Sequence, residues 1–334
     1  MANKYENQVT RSRAERDKAI IINITDIFDS IRDKSQRAAM KVTDKAGDNT
    51  EWFSDRAGRT EAFAKELNEE LRPDYLKKDN FSKQVYAEEY RTAYFESLYT
   101  ITNEGISEGF LVKLPRYTKK QFEKAINYPL SKLMNNNKMK TSRNVDIEQL
   151  YTTIVSGVEQ GLSLPNINKS LDVVLGYRDR QTGKWIVDKA LRKGQTYRTM
   201  LTLRTEISRM RSTAETDQWM LQQPIVPSDL VWLSVRDNRA RSQSATMSGQ
   251  VANKKGEFVY PNGTVSKQGQ SGNISYEAND RCTTINQDPE FPPESIIERD
   301  PSTGKNKVVP YRSFKEYADE KGLRSNKFGE VLFK

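Results

Sequence analysis

Two stretches of the sequence hold side chains that could do chemistry together. In RTEISRMRSTAE, Arg204, Glu206 and Arg209 fall close together on what reads as a helix. In SVRDNRARSQSATMSG, Ser234 to Gly249, Arg236, Asp237, Arg239 and Arg241 crowd into a serine- and alanine-rich frame. A routine turn has no need of that charge density. Three chemistries fit it: acid–base catalysis by the carboxylates, a grip on phosphate, or a closed network of ion pairs. Spacing favours the last. Glu206 and Arg209 are three apart, close enough to pair on a helix. Asp237 and Arg239 point the same way in extended backbone. Arginine forks suit bidentate pairing with carboxylates. A buried member left without its partner would cost on the order of 3–5 kcal/mol. Arg204, Glu206, Arg209, Asp237, Arg239 and Arg241 are therefore expected to form a structural latch, with no residue assigned a catalytic role.

What the chain lacks narrows the rest. It has no histidine and one cysteine, Cys282. Ser-His-Asp and Cys-His nucleophile pairs are ruled out, as are HExxH zinc helices and zinc fingers. No GxxxxGK[ST] phosphate loop or GxGxxG turn occurs, so no cofactor or metal is expected. An internal disulfide cannot form, and Cys282 reads as a small buried apolar residue rather than a reactive thiol. No apolar run is long enough to span a bilayer, so no membrane partner is expected. The first residues, MANKYENQVTRSR, have no signal-peptide core.

The 334 residues are 30% charged and 35% hydrophobic, with a net charge of +9. This balance points to modest cores and long solvated helices. The positive charge is concentrated. Leu111 to Arg143 has nine Lys/Arg against one Glu, and Arg178 to Arg211 has ten against three acids, so the remainder is acidic. Two basic zones on an acidic body suit docking to an anionic partner. Lys113, Arg116, Lys119, Lys120 and Lys124, then Lys189, Arg192, Lys193 and Arg198, are the candidate phosphate contacts. A solvated helix face is the alternative for each.

Hydrophobic periodicity supplies the elements that would position these residues. Ile20, Ile24, Ile27, Phe28 and Ile31 mark one face of a long helix over residues 5–42. A second helix is expected from Trp52 to Leu71, stopped by Pro73. A third runs from Phe81 to Gly105, with Tyr86, Tyr90, Tyr94, Phe95 and Leu98 as an inward aromatic stripe. MNNNKMKTSRN reads as a linker. Ile147, Leu150, Ile154 and Val158 then begin a helical hairpin, with Gly161 as its C-cap and a second helix opening at Leu164-Pro165. After the polar loop YRDRQTGK, a helix is expected from Ile186 to Met220, with Leu201, Ile207, Met210 and Ala214 inward. Beyond Pro224 the pattern turns to strands: DLVWLSV, a hairpin at Asn262-Gly263, and Arg281 to Ile285. The fold class is α+β: a mostly helical N-terminal two-thirds, a small antiparallel β unit packed on a long helix, and an extended C-terminal tail. The expected divisions are 1–110, a basic linker 111–145, 146–288 and the tail 289–334.

The order of RTEISRMRSTAE, VWLSVRDNRARSQSATMSGQ, FVYPNG and NDRCTTI resembles the Mu F-like phage head morphogenesis family, the minor head or minor capsid proteins. That family runs from a helix with R-T-E to W-x-x-x-x-D-x-R-T-R-x-x-H, then F-x-x-P-x-G and N-C-R-C. The resemblance covers roughly residues 147–286. Three positions depart from it: Ala240 for the threonine of R-T-R, Ser244 for the histidine, and Asp280 for the first cysteine. With histidine and cysteine both gone, no metal site carries over.

The resemblance implies a structural protein of the virion, assembled in the host cytoplasm and held inside the head. Its partners would be the portal, non-specific double-stranded DNA, and scaffold or major capsid protein. Two alternatives remain open. One is a nucleotide-using, ADP-ribosyltransferase-like enzyme with Glu206 and Glu257 as its acids. The other is a sequence-specific DNA-binding regulator using the 147–176 hairpin.

Overall fold

The structure, a computed structural model, describes residues 4–46, 56–107, 136–178, 185–186, 194–224, 227–234, 242–278, 280, 282–287, 295–299, 306–310, 324–325 and 331–332. The N-terminal two-thirds is α-rich. Its helices are α1 (Lys4–Ala46), α2 (Arg56–Ser107), α3 (Asn136–Glu159), α4 (Leu164–Leu175) and α5 (Gln195–Gln222). A small antiparallel β region follows. The chain divides into two compact units, each discontinuous in sequence: Met1–Glu15 with Tyr86–Asn127 and Thr202–Lys334, and Arg16–Val85 with Tyr128–Leu201.

In the second of these units, α1 buries the stripe its spacing predicts. Ile24, Ile27, Phe28 and Ile31 are inside and Ile20 is half-buried. The helix expected to stop at Pro73 does not stop: α2 is one 52-residue helix with Pro73 in its interior. Proline removes one backbone hydrogen bond and crowds the preceding turn, at about 3 kcal/mol. Here Pro73 is exposed, while Leu67, Leu71 and Tyr75 are fully buried around it. Each such burial stabilises by about 1.5–3 kcal/mol, which outweighs the break.

The stretch read as a linker is helical from Asn136. Its Arg143 is buried and donates to Asp79 of α2 at 2.9 Å, so a tertiary partner overrides weak local propensity. The hairpin of α3 and α4 follows its pattern. Ile147, Leu150, Ile154, Val158, Ile167, Leu171 and Leu175 are buried, and Gly161 turns the chain at φ 65°. Gly157 lets the two helices meet, since a Cβ there would lie 2.8 Å from the Ile167 side chain. The helix expected from Ile186 starts instead at Gln195. Ile186 belongs to β2 (Trp185–Ile186), which pairs with β1 (Tyr177–Arg178) on the other side of the polar loop.

In the other unit, Tyr86, Tyr90 and Tyr94 are buried as expected, but Phe95 is half-exposed. Phe95 directly follows the inward-facing Tyr94, whose ring its own meets edge-on at 5.7 Å. β3 (Asp229–Leu233) pairs antiparallel with β6 (Thr283–Gln287), Trp232 opposite Thr284. On its other side β3 bonds residues 249–252 through Trp232 N to Gln250 O and Ala252 N to Leu230 O. The short helix α6 (Ser242–Met247) lies between these stretches in sequence. β4 (Phe258–Val259) and β5 (Val265–Ser266) form the hairpin signalled by Asn262-Gly263, with Gly263 at φ 82°. Trp219, Leu230, Trp232, Met247, Phe258, Tyr260 and Cys282 make one core, with Phe258 and Tyr260 edge-on to Trp232 at 5.2 and 5.7 Å. Among the described residues of the C-terminal stretch, β7 (Ser295–Arg299) runs antiparallel to β8 (Asn306–Pro310).

Candidate functional site

The site is built on α5. This helix is polar along its length, yet Thr205, Glu206, Ser212, Thr213, Glu215, Thr216, Gln218 and Gln222 are all buried. Buried polar groups must be paired or they destabilise the fold, so the neighbours of α5 have to supply partners. Arg209 is the centre. Its Nη1 donates to both carboxylate oxygens of Glu206 at 2.9 and 2.8 Å. Its Nη2 donates to Glu277 Oε2 at 2.6 Å, and its Nε to the Gly269 carbonyl at 2.6 Å. Glu277 closes α7 (Ile274–Glu277). Its other oxygen, Oε1, accepts from Ser271 Oγ at 2.9 Å and from the Gly272 amide at 2.7 Å. One guanidinium thus binds two carboxylates and a loop carbonyl.

Further bonds hold the same loop to α5. Gln270 Nε2 donates to Thr213 Oγ1 at 2.9 Å, Ser212 Oγ to the Gln268 carbonyl at 3.3 Å, and Lys267 pairs with Asp217 at 3.1 Å. Gly256 approaches from a neighbouring turn, where a Cβ would lie 2.4 Å from the Thr216 side chain and φ is 72°. On other faces Arg211 pairs with Glu89 at 2.8 Å and Tyr90 donates to Asp217 at 2.9 Å. Arg13 bridges Glu96 and Glu215, each at 2.8 Å, and Thr284 donates to Glu215 at 2.9 Å.

The electrostatics follow from this geometry. Burial pushes the Glu206 carboxyl up to about 7, against the pull of Arg209, and Glu277 adds repulsion. Burial disfavours the charge of Arg13, but Glu215 and Glu96 outweigh it and raise its pKa.

Two of the three departures from the family pattern, Ser244 and Asp280, share neighbours, and Ala240 lies outside the described residues. Ser234 Oγ donates to the Ser244 carbonyl, Cys282 Sγ lies 3.6 Å from Ser234 Oγ, and the Cys282 amide donates to Asp280 at 3.2 Å. Burial, then Asp280, pushes the Cys282 thiol up to about 12, which makes it a packed, protonated group. No group of three or more His, Cys, Asp or Glu among the described residues is placed to hold a metal.

A second polar cluster lies in the unit that contains Arg16–Val85 and Tyr128–Leu201. Lys78 approaches Asp79 at 3.6 Å and Asp146 at 3.8 Å. Tyr75 donates to Gln195, and Gln195 Nε2 to the Asp146 carbonyl at 2.9 Å. Burial raises the Asp146 pKa, opposed by Lys78 and Arg198.

Of the expected latch, Glu206 and Arg209 are brought together and Arg204 is exposed on the same helix. Asp237, Arg239 and Arg241 lie outside the described residues. So do Lys113, Arg116, Lys119, Lys120, Lys124, Lys189, Arg192 and Lys193. Arg198 is half-exposed and donates to Asp146 at 3.2 Å and Gln149 at 3.3 Å. Glu257 is half-buried and holds its own turn, accepting from Asn253 Nδ2 at 3.0 Å. Sequence reasoning missed Glu277, Glu215 and Arg13. The glycines that flank Gln270 and Ser271 were the available signal for the loop, since Gly269 and Gly272 sit at φ 71° and 73°. No helix among the described residues is long and apolar enough to cross a membrane. Comparison with protein-family models, curated proteins and solved structures finds no match.

Proposed function

We propose that the chain is a minor structural protein of a phage head that associates with the portal and packaged DNA and acts in head assembly and DNA packaging or delivery. The observation that supports this most is where the resembling residues fall. Glu206 and Arg209 anchor the helix–loop latch, while Trp232, Phe258, Tyr260 and Cys282 belong to one hydrophobic core. That the motif members among the described residues serve one packed module fits a structural role. The basic zones would neutralise phosphates without reading sequence, as backbone contacts do. Portal, scaffold or major capsid protein would take the helical surfaces.

Co-sedimentation with purified portal, with and without generic duplex DNA at low and high salt, tests the reading. Portal binding that persists in high salt, with DNA binding that does not, is the expected result. Absence of portal binding, together with tight binding to one DNA sequence, would overturn it in favour of a regulator built on α3 and α4. One observation favours an enzyme instead: a buried glutamate with its pKa near neutrality is a common general acid. A thermal shift on adding nucleotides would support that alternative, and a flat response would remove it.

A further inference from the structure

The Arg209 cluster contains an imbalance of charge. Two carboxylates, Glu206 and Glu277, share one guanidinium, and all three side chains are largely buried, at 10%, 6% and 18% exposed. Of the other charges on the neighbouring elements, Arg211 pairs with Glu89, Lys267 with Asp217 and Glu215 with Arg13, Asp280 accepts from the Cys282 amide, and Arg204 is exposed. A buried cluster with one excess negative charge is relieved by a single proton.

The hydrogen bonds decide which carboxylate takes it. Glu277 accepts from three donors: Arg209, Ser271 Oγ and the Gly272 amide. Among the described residues, Glu206 accepts from Arg209 Nη1 alone. Donors aimed at a carboxylate stabilise its ionised form, so the proton falls to Glu206, the carboxylate with fewer donors.

We propose that this cluster is a proton-operated clamp on the loop Lys267–Glu277: a proton on Glu206 leaves Arg209 wholly to Glu277 and the Gly269 carbonyl and tightens the loop on α5, and its loss draws Arg209 back towards Glu206 and loosens the loop. The step is a simple protonation of one carboxylate oxygen by solvent. The loop is built to respond. Its two glycines hold positive φ, and a Cβ at Gly269 would stand only 3.4 Å from the Arg209 Cα, so the loop backbone lies directly against the residue that moves. The raised Glu206 pKa places the change near neutral pH. The clamp rests on the geometry of α5 and its loop and does not depend on the phage-head reading.

Amide hydrogen exchange of the full-length protein at pH 6 and pH 8, corrected for intrinsic exchange rates, reads the clamp directly. In the unaltered protein the amides of Gln268 to Gly272 should lose protection by about tenfold at the higher pH, the equivalent of one pK unit of coupling. Glu206→Gln, a fixed neutral side chain, should hold the low-pH protection at both values. Carboxyl-carbon NMR of the unaltered protein gives a second readout, with Glu206 titrating near neutrality. Equal protection of the unaltered protein at both pH values would overturn the proposal. So would an unchanged pH response in Glu206→Gln, or Glu277 rather than Glu206 taking the proton.

Discussion

Arg209 makes contacts that no other side chain type could reproduce. Its planar fork reaches Glu206, Glu277 and the Gly269 carbonyl at once, where lysine offers a single point charge. Arg209→Ala should therefore cost on the order of 3–5 kcal/mol, because it strands two buried carboxylates. Chemical denaturation would show it as a lower midpoint, with Arg209→Lys recovering only part of the loss. Glu206 behaves in the opposite sense. Its carboxyl titrates at about 7 in the folded chain against an ordinary 4.5. The folded state thus holds a proton that the unfolded state gives up. The stabilisation is fully present below about pH 4.5 and is lost as pH rises through 7, a change on the order of 3 kcal/mol. Glu206→Gln should flatten this dependence and melt higher than the unaltered protein at pH 8, as differential scanning calorimetry would record.

At the scale of elements, helix continuity depends on where the buried face falls. α2 keeps Leu67, Leu71 and Tyr75 inside on either side of an exposed Pro73. If packing rather than propensity carries the helix, then Pro73→Ala should restore a backbone bond and raise stability by about 1–3 kcal/mol without altering the fold. An unchanged or lower denaturation midpoint would mean that the proline geometry is itself required. The same balance explains why the start of α3 was not legible. MNNNKMKTSR has turn-like composition, but Arg143 gains Asp79 as a buried partner 64 residues away. The hairpin of α3 and α4 was legible because its apolar residues recur at helical spacing and Gly161 punctuates it. The strands were legible through the β-rich run DLVWL, whose Leu230, Val231 and Trp232 are all buried, and through the turn at Asn262-Gly263.

At the scale of the molecule, units assembled from separated segments need ties between distant parts of the chain. Arg13 is such a tie, joining Glu96 of α2 to Glu215 of α5. Arg13→Ala leaves both carboxylates in a largely buried site and should lower the melting temperature, at a cost on the order of 3–5 kcal/mol. A surface-like loss below about 1 kcal/mol would mean that solvent reaches the pair. The basic zones act at this scale as well. If Lys113, Arg116, Lys119, Lys120 and Lys124 contact phosphates, replacing all five with alanine should reduce the slope of log affinity against log salt by about 4.5. A nitrocellulose filter-binding series over salt would measure it, and an unchanged slope would assign the DNA contact elsewhere.

What the sequence determined by itself was local. The periods of Ile24, Ile27, Phe28 and Ile31 define the inner face of α1, Asn262-Gly263 defines a hairpin, and Glu206 and Arg209 lie one turn apart. The absence of histidine and of a second cysteine excluded whole chemistries before any fold was known. Only the tertiary structure decided that α2 continues through Pro73 and that Glu277, 68 residues from Arg209, completes its cluster. It also decided that Arg13 meets Glu215 from 202 residues away. The physical reason is the range of the interactions. Helical spacing and turn chemistry are settled by neighbours within a few residues. A buried charge is settled by whichever opposite charge folding brings within hydrogen-bond reach, and that partner leaves no mark in the local pattern.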